Sequence, residues 1–422
     1  MASPIPFDPA IEEVSPDETR TASDLTDIMR SIQETTFRDY GHAVRSVHAK
    51  SHGLIEGHLE IRPDLPPDLA QGLFSRPGRY PVVMRFSTNP GDILDDSVSA
   101  PRGLGLKVIG VDGERLPGSE GGVTQDFVMA NAPSFAAPTP AAFAKNLKLL
   151  AATTDTGQAW KKAFSAALRG VEAALEAAGG ESAMLKTLGG QPIVHPLGDS
   201  FFTQTPLRYG DYVAKIAVVP VSERLTALMN QPVDVAGRPN GLREEIITFL
   251  REHGGEWEMR VQLRTNAATM PVEDASVAWP EDESPYRAVA RIRVPPQPAW
   301  NEERARAIDD GLAFSPWHGL AAHRPLGAVN RARRQAYRAA ASFRASRNGC
   351  PIHEPHGALH LSNRPARAFG STPGREGRRA HTPDAPQRAS ADQSAVHPVI
   401  LLGGGIVAGL LLATLLRQTR QG

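Results

Sequence analysis

Thiol chemistry is almost absent from this chain, which has one cysteine, Cys350, in 422 residues. That count excludes an intrachain disulfide, a cysteine-based zinc site and a prosthetic group attached through Cys-x-x-Cys-His. An excess of either charge is lacking too, since Lys plus Arg and Asp plus Glu both number 46. With no global field, nucleic acid is not an expected partner and any basic function must be local. A secretory start is missing as well. The first residues, MASPIPFDPAIEEVSPDETR, carry proline and acid in place of a basic start and an apolar run, so residues 1–22 read as a disordered leader. Without a signal peptide the main domain is expected to face the cytoplasm.

Long hydrophobic runs are missing except at the end. Residues 399–416 (VILLGGGIVAGLLLATLL) are uncharged over 18 residues and are flanked by Pro398 and Arg417. That is enough for a helix across a bilayer, and a C-terminal membrane anchor over 398–417 is expected, a buried core helix being the alternative. Residues 351–397 are dominated by Pro, Gly, Ser, Ala and Arg and read as a flexible linker. The globular part is therefore 23–350.

Within it, LIEGHLEI and RYPVVMRFS alternate as strands do. In GLGLKVIGVDGERL the pair Asp112-Gly113 stands between two extended runs and predicts a hairpin turn. Further strands are expected at 126–129, 209–219, 257–265 and 286–294. Helices are expected at 24–38, 140–152, 158–178, 241–253, 301–310 and 327–347. The fold class is α+β, an antiparallel eight-stranded β-barrel surrounded by helices, with the C-terminal transmembrane helix in addition.

Three segments carry chemistry. In VRSVHAKSHG, His48 is expected in extended backbone, on the face opposite Val47 and Ala49. In YPVVMRFSTNPGD, Arg85 lies inside an apolar strand, where a guanidinium needs an anionic partner. Arg45 is a second candidate for the same anion, with surface salt bridging as the alternative. In GAVNRARRQAYRAAASFR, positions 329, 332, 336, 340 and 343 are apolar at helical spacing, and Arg333 precedes Tyr337 by one turn. A fixed cation there favours the tyrosinate that ferric iron prefers, while a core tyrosine beside a solvated arginine is the plainer reading.

RSVHAK, PVVMRFSTNPGD, APRGLGLKV and Arg-x-x-x-Tyr, in this order, resemble the catalase superfamily over most of residues 30–345. The segments around Trp279 and Trp317 look like its smaller catalase-related peroxidase branch. The resemblance implies haem b held non-covalently, with Tyr337 as the iron ligand and His48 as the distal acid/base. Ser87 would hydrogen-bond His48, and Val47 would lie beside it over the haem. Arg45, Arg85 and Arg333 would bind propionates or support the ligand, and Phe135 would stack on the distal haem face. Where catalases carry a distal asparagine, Val123 or Thr124 stands here. That departure shifts the implied activity from dismutation towards a peroxidase reducing hydrogen peroxide or organic hydroperoxides with an organic electron donor. A lyase or isomerase of fatty-acid hydroperoxides and a non-enzymatic haem carrier are the alternatives. No NADPH is expected, and assembly into a homo-oligomer is left open.

Overall fold

The computed structural model describes residues 2–152, 192–359 and 361. The helix expected at 158–178 and the apolar run at 399–416 lie outside the described residues. Among the described residues no helix is long and apolar enough to cross a membrane.

The core is one antiparallel sheet closed on itself. Its strands are β1 (Ser51–Ile61), β2 (Arg79–Thr88), β3 (Arg102–Ile109), β4 (Thr124–Ala130), β5 (Phe201–Phe202), β6 (Leu207–Tyr209), β7 (Tyr212–Pro220), β8 (Gly255–Leu263) and β9 (Arg287–Val294). Eight of them form a ring, β1 to β5 continuing through β7, β8 and β9 back to β1, and β6 pairs outside it on β7. Closure removes the free edges that an open sheet would expose. Alternation along each strand then sorts side chains into two sets. Ile55, Leu59, Met84, Phe86, Leu104, Leu106 and Phe127 point inward and, with Trp257 and Ile292, fill the barrel. No ligand-sized space is needed there.

The outward set on β2, β3 and β4 differs, with Arg85, Ser87, Gly103, Gly105, Lys107, Asp126 and Val128 brought side by side by the register. This polar, glycine-bearing face has to be covered. The helices that do so are α1 (Glu18–Tyr40), α2 (Pro140–Ala152) and α4 (Ala328–Asn348), while α3 (Gly241–Glu252) packs beside β1. Leu25, Met29 and Ile32 of α1 meet Ala332 and Ala336 of α4, so small residues on α4 let the two helices approach closely.

Three expectations are corrected. Asp112-Gly113 does not make a tight hairpin: β3 ends at Ile109, pairs with β4 from Thr124, and residues 110–123 form a long loop in which Arg115 bridges to Leu320 instead. The leader is ordered from residue 2. Ile5 and Phe7 donate backbone hydrogen bonds to Arg264 and Asp211, and Arg208 stacks on Phe7 at 4.8 Å. Two of its acidic residues are salt-bridge partners of Arg331 of α4, Glu12 at 2.6 Å and Glu18 at 2.7 Å, and Glu273 from outside the leader joins them at 2.9 Å. At the other end, residues 351–359 do not read as a free linker, because Leu359, like Leu361, packs against the cluster of Leu54, Val83, Ile109, Ile308 and Leu312.

Glu354 fastens that segment. Its carboxylate meets Lys107 and accepts from Thr124 Oγ1 at 2.9 Å, and its other oxygen is 3.2 Å from His318 Nδ1. Lys107 and His318 also bond Asp126. Burial opposes charge on His318, but hydrogen bonds to the carboxylates of Asp126 and Glu354 outweigh it and raise its pKa to about 9. Burial likewise opposes charge on Glu354, and His318 and Lys107 overcome it and hold the carboxyl below its ordinary 4.5. The His318 contribution is complete below its ordinary 6.5 and is lost as pH rises through about 9. That of Glu354 is complete above 4.5 and is lost as pH falls through its lowered pKa. Glu354→Gln should therefore destabilise the protein by about 3 kcal/mol near neutral pH. In thermal unfolding scans, the gap to wild type should narrow as the pH is raised past 9.

Candidate functional site

Between the outer face of β2–β3–β4 and helix α4 lie two adjoining cavities of about 80 and 540 Å³. Both are lined by Val47, His48, Val128, Ala336 and Tyr337, so they are parts of one chamber. The strand side is Gly103 and Gly105, and the helix side of the narrower part is Ala336, Ala340 and Ala341. Small residues on both walls leave a flat slot between a sheet and a helix.

His48 does not lie in a strand. Its φ is +54°, in the left-handed region, three residues before β1 begins. In extended backbone Val47 and His48 would face opposite ways, and the left-handed turn brings both onto the chamber. Such a conformation costs about 1–3 kcal/mol in a non-glycine residue and is found mostly where function requires it. Backbone bonds from His48 to Asn89 (2.6 Å) and from Ala49 to Pro90 (3.0 Å) hold it.

Ser87 Oγ lies 3.2 Å from His48 Nδ1 and donates to Gly103 O at 3.4 Å. With the hydroxyl proton directed at that carbonyl, Ser87 accepts from Nδ1–H and leaves the Nε2 lone pair for the chamber. Burial, then the charges of Arg85, Arg333 and Arg45, lower the His48 pKa to about 3. The imidazole is therefore neutral at physiological pH.

Tyr337 lines the chamber from α4 and is also reached by a groove on the opposite side, past Trp317. One turn earlier, Arg333 donates to Thr205 Oγ1 (3.2 Å) and Asn330 Oδ1 (3.1 Å), with its guanidinium 5.3 Å from the Phe135 ring centroid. Phe135 packs against Phe143 at 4.9 Å and lines the wider cavity. Of the residues singled out from sequence, Arg45, Val47, His48, Arg85, Ser87, Phe135, Arg333 and Tyr337 are thus brought to one chamber.

Thr124 is not. It shares the outer face of β4 with Val128 but lies four residues along the strand, about 13 Å away, and bonds Glu354. The β4 side chain that faces Gly105 across the pair and enters the chamber with His48 is Val128. Among the described residues no Asn or Gln lines the narrower cavity.

Two groups escaped the sequence reading. Arg344, two turns beyond Tyr337, joins Arg45 and Arg85 in the narrower cavity. Behind them stands Asp309, whose Oδ1 accepts from Arg85 Nε at 2.6 Å and Arg45 at 3.0 Å. The anionic partner that Arg85 requires is thus within the chain. A DD pair in a charged helix gives no sign of this.

No family model matches the sequence, and no curated protein matches it. Solved structures do. A fungal catalase superposes with a TM-score of 0.53 at 18% identity, over 75% of this chain and 62% of that one. Catalase A from Saccharomyces cerevisiae gives 0.50 at 18%, over 74% of this chain and 63% of that one, and a bacterial catalase 0.50 at 16%, over 94% and 76%. The chain has the catalase fold. It spans less than two thirds of the length of the fungal and yeast proteins.

Gly103 gives this site a direct test. A Cβ there would stand 2.4 Å from His48 Cε1 and 2.6 Å from Nδ1, so Gly103→Ala forces the imidazole off Ser87. Overpacking of this kind costs about 1–3 kcal/mol. Thermal unfolding should report that loss, and a crystal structure of the variant should show His48 rotated; an unmoved ring at wild-type stability would refute the packing argument.

Proposed function

We propose that the chamber holds haem b non-covalently and that the protein reduces hydrogen peroxide or an organic hydroperoxide at the expense of an organic donor. One observation carries this reading: a neutral, serine-oriented His48 and the phenol of Tyr337 line the same flat slot from its two walls, with three guanidiniums at its edge. The residues fit such a group. Glycine and alanine walls accommodate a planar ring, Tyr337 offers a phenolic oxygen as a ligand for iron, and Arg45, Arg85 and Arg344 supply more positive charge than Asp309 cancels, as two propionates require.

When bound, haem would supply the iron that takes up the oxidising equivalents of the peroxide. The protein supplies the proton traffic. His48 Nε2 would accept a proton from the peroxide and return it to the leaving oxygen. Burial and the neighbouring arginines keep the imidazole neutral, so its Nε2 lone pair is available. Ser87 keeps the ring in the tautomer that allows this. Among the described residues Val47 and Val128 leave the narrower part without an amide beside His48 to orient a second peroxide, and the amides of Asn89, Asn131 and Gln204 line the wider part instead, which argues for an organic reductant over dismutation. Phe135 and Phe143 in the wider cavity suit an apolar donor or hydroperoxide.

Haem titration of the full chain, followed by stopped-flow peroxide reactions, tests the reading. His48→Ala should keep the haem spectrum but slow peroxide reduction by about 10²- to 10⁴-fold. Because His48 titrates near pH 3, the wild-type rate should show no histidine-like step between pH 5 and 9. Tyr337→Phe should change the visible spectrum. Oxygen evolution, oxidation of an aromatic donor and donor-free loss of a fatty-acid hydroperoxide separate catalase, peroxidase and lyase. Failure to bind haem, or a spectrum indifferent to Tyr337→Phe, would sink the proposal.

A further inference from the structure

Three guanidiniums converge on the end of one turn. Ala305–Asp310 is a π-helical turn, a conformation that is rare and concentrated at functional sites. Arg45 bonds the carbonyls of Ile308 (3.3 Å), Asp309 (3.0 Å) and Leu312 (3.1 Å). Arg344 bonds the carbonyls of Asp309 and, at 3.2 Å, Leu312, while Arg85 adds Ala49 O at 3.2 Å. Into their midst projects the Asp309 carboxylate. Its Oδ1 is shared by Arg85 and Arg45, and its Oδ2 accepts from Ser51 Oγ at 2.6 Å. Ser51 is fixed in turn by Trp300 Nε1 at 2.9 Å. Burial would raise the Asp309 pKa, yet Arg85 and Arg45 hold it below the usual carboxylate range, so the group is an anion.

We propose that Asp309 is a positioning residue: braced by Ser51 and Trp300, it aligns Arg45 and Arg85 so that the chamber discriminates for a dicarboxylate prosthetic group. This rests on the haem reading above. Two physical roles make opposite forecasts. If Asp309 only neutralised charge, its removal would strengthen attraction for carboxylates. If it aligns the guanidiniums, removal lets two buried like charges swing apart and weakens that attraction.

The experiment compares apoprotein affinity for free haem and for haem dimethyl ester, whose carboxylates are masked. In the wild-type full chain free haem should be preferred. In Asp309→Asn that preference should fall by about tenfold, with ester affinity little changed. Ser51→Ala, which loosens the brace without touching an arginine, should lower it by a smaller factor, and serves should Asp309→Asn fail to fold. Asp309→Glu should restore part of it. A preference unchanged or increased in Asp309→Asn, or equal losses for both ligands, overturns the positioning role alone. If the wild type binds neither ligand, the haem reading falls and this inference with it.

Discussion

The burial of Arg45, Arg85 and Arg344 around Asp309 is the constraint from which much of this architecture follows. A guanidinium out of water is costly unless its hydrogen bonds and charge are met. Here they are met by the Asp309 carboxylate and by carbonyls of Ala49, Ile308, Asp309 and Leu312, so the approach to β1 and the stretch around the π-helical turn satisfy arginines carried before β1, on β2 and on α4. Satisfying that cluster fixes α4 against the outer face of β2 and β3. The same contact encloses the chamber and sets Tyr337 across from His48. Few alternative packings keep every one of those donors occupied.

The arginines act on the chamber as well as on the fold. Arg85, Arg333 and Arg45 add to burial in keeping His48 neutral. Asp309 limits the field by offsetting part of the charge, and Ser87 selects the tautomer. The site's electrostatics thus arise from residues whose first task is holding strands to helices.

The barrel was readable from sequence because its rule is local. Alternation in LIEGHLEI and RYPVVMRFS reports one wet and one dry face at each step, and those strands appear where the pattern places them. The helix carrying Tyr337 was equally plain from its 3.6-residue spacing. Errors arose where the deciding partner is distant. Asp112-Gly113 has turn chemistry, but the hydrogen bonds there go to Gly319–Ala321 and Val123 and not across a tight hairpin. Glu12 and Glu18 looked like solvated acids because Arg331 lies more than three hundred residues on. The resemblance sets Val123 or Thr124 in the distal place, whereas the strand register brings Val128 to the chamber.

Asp309 is the extreme case of the same limit. Arg85 within an apolar strand announced that an anion was required, and a ligand carboxylate was one way to meet the requirement. The structure meets it internally, 224 residues away in sequence. That does not remove the case for an external dianion, since three guanidiniums and one hydrogen-bonded carboxylate leave positive charge facing the slot. It changes what the arginines mean: they are held in place before any ligand arrives, so a ligand would gain charge-assisted bonds without having to order the side chains that make them. The carboxylate and carbonyls that meet the guanidiniums are what allow like charges to pack together, and they stand behind the chamber rather than in it.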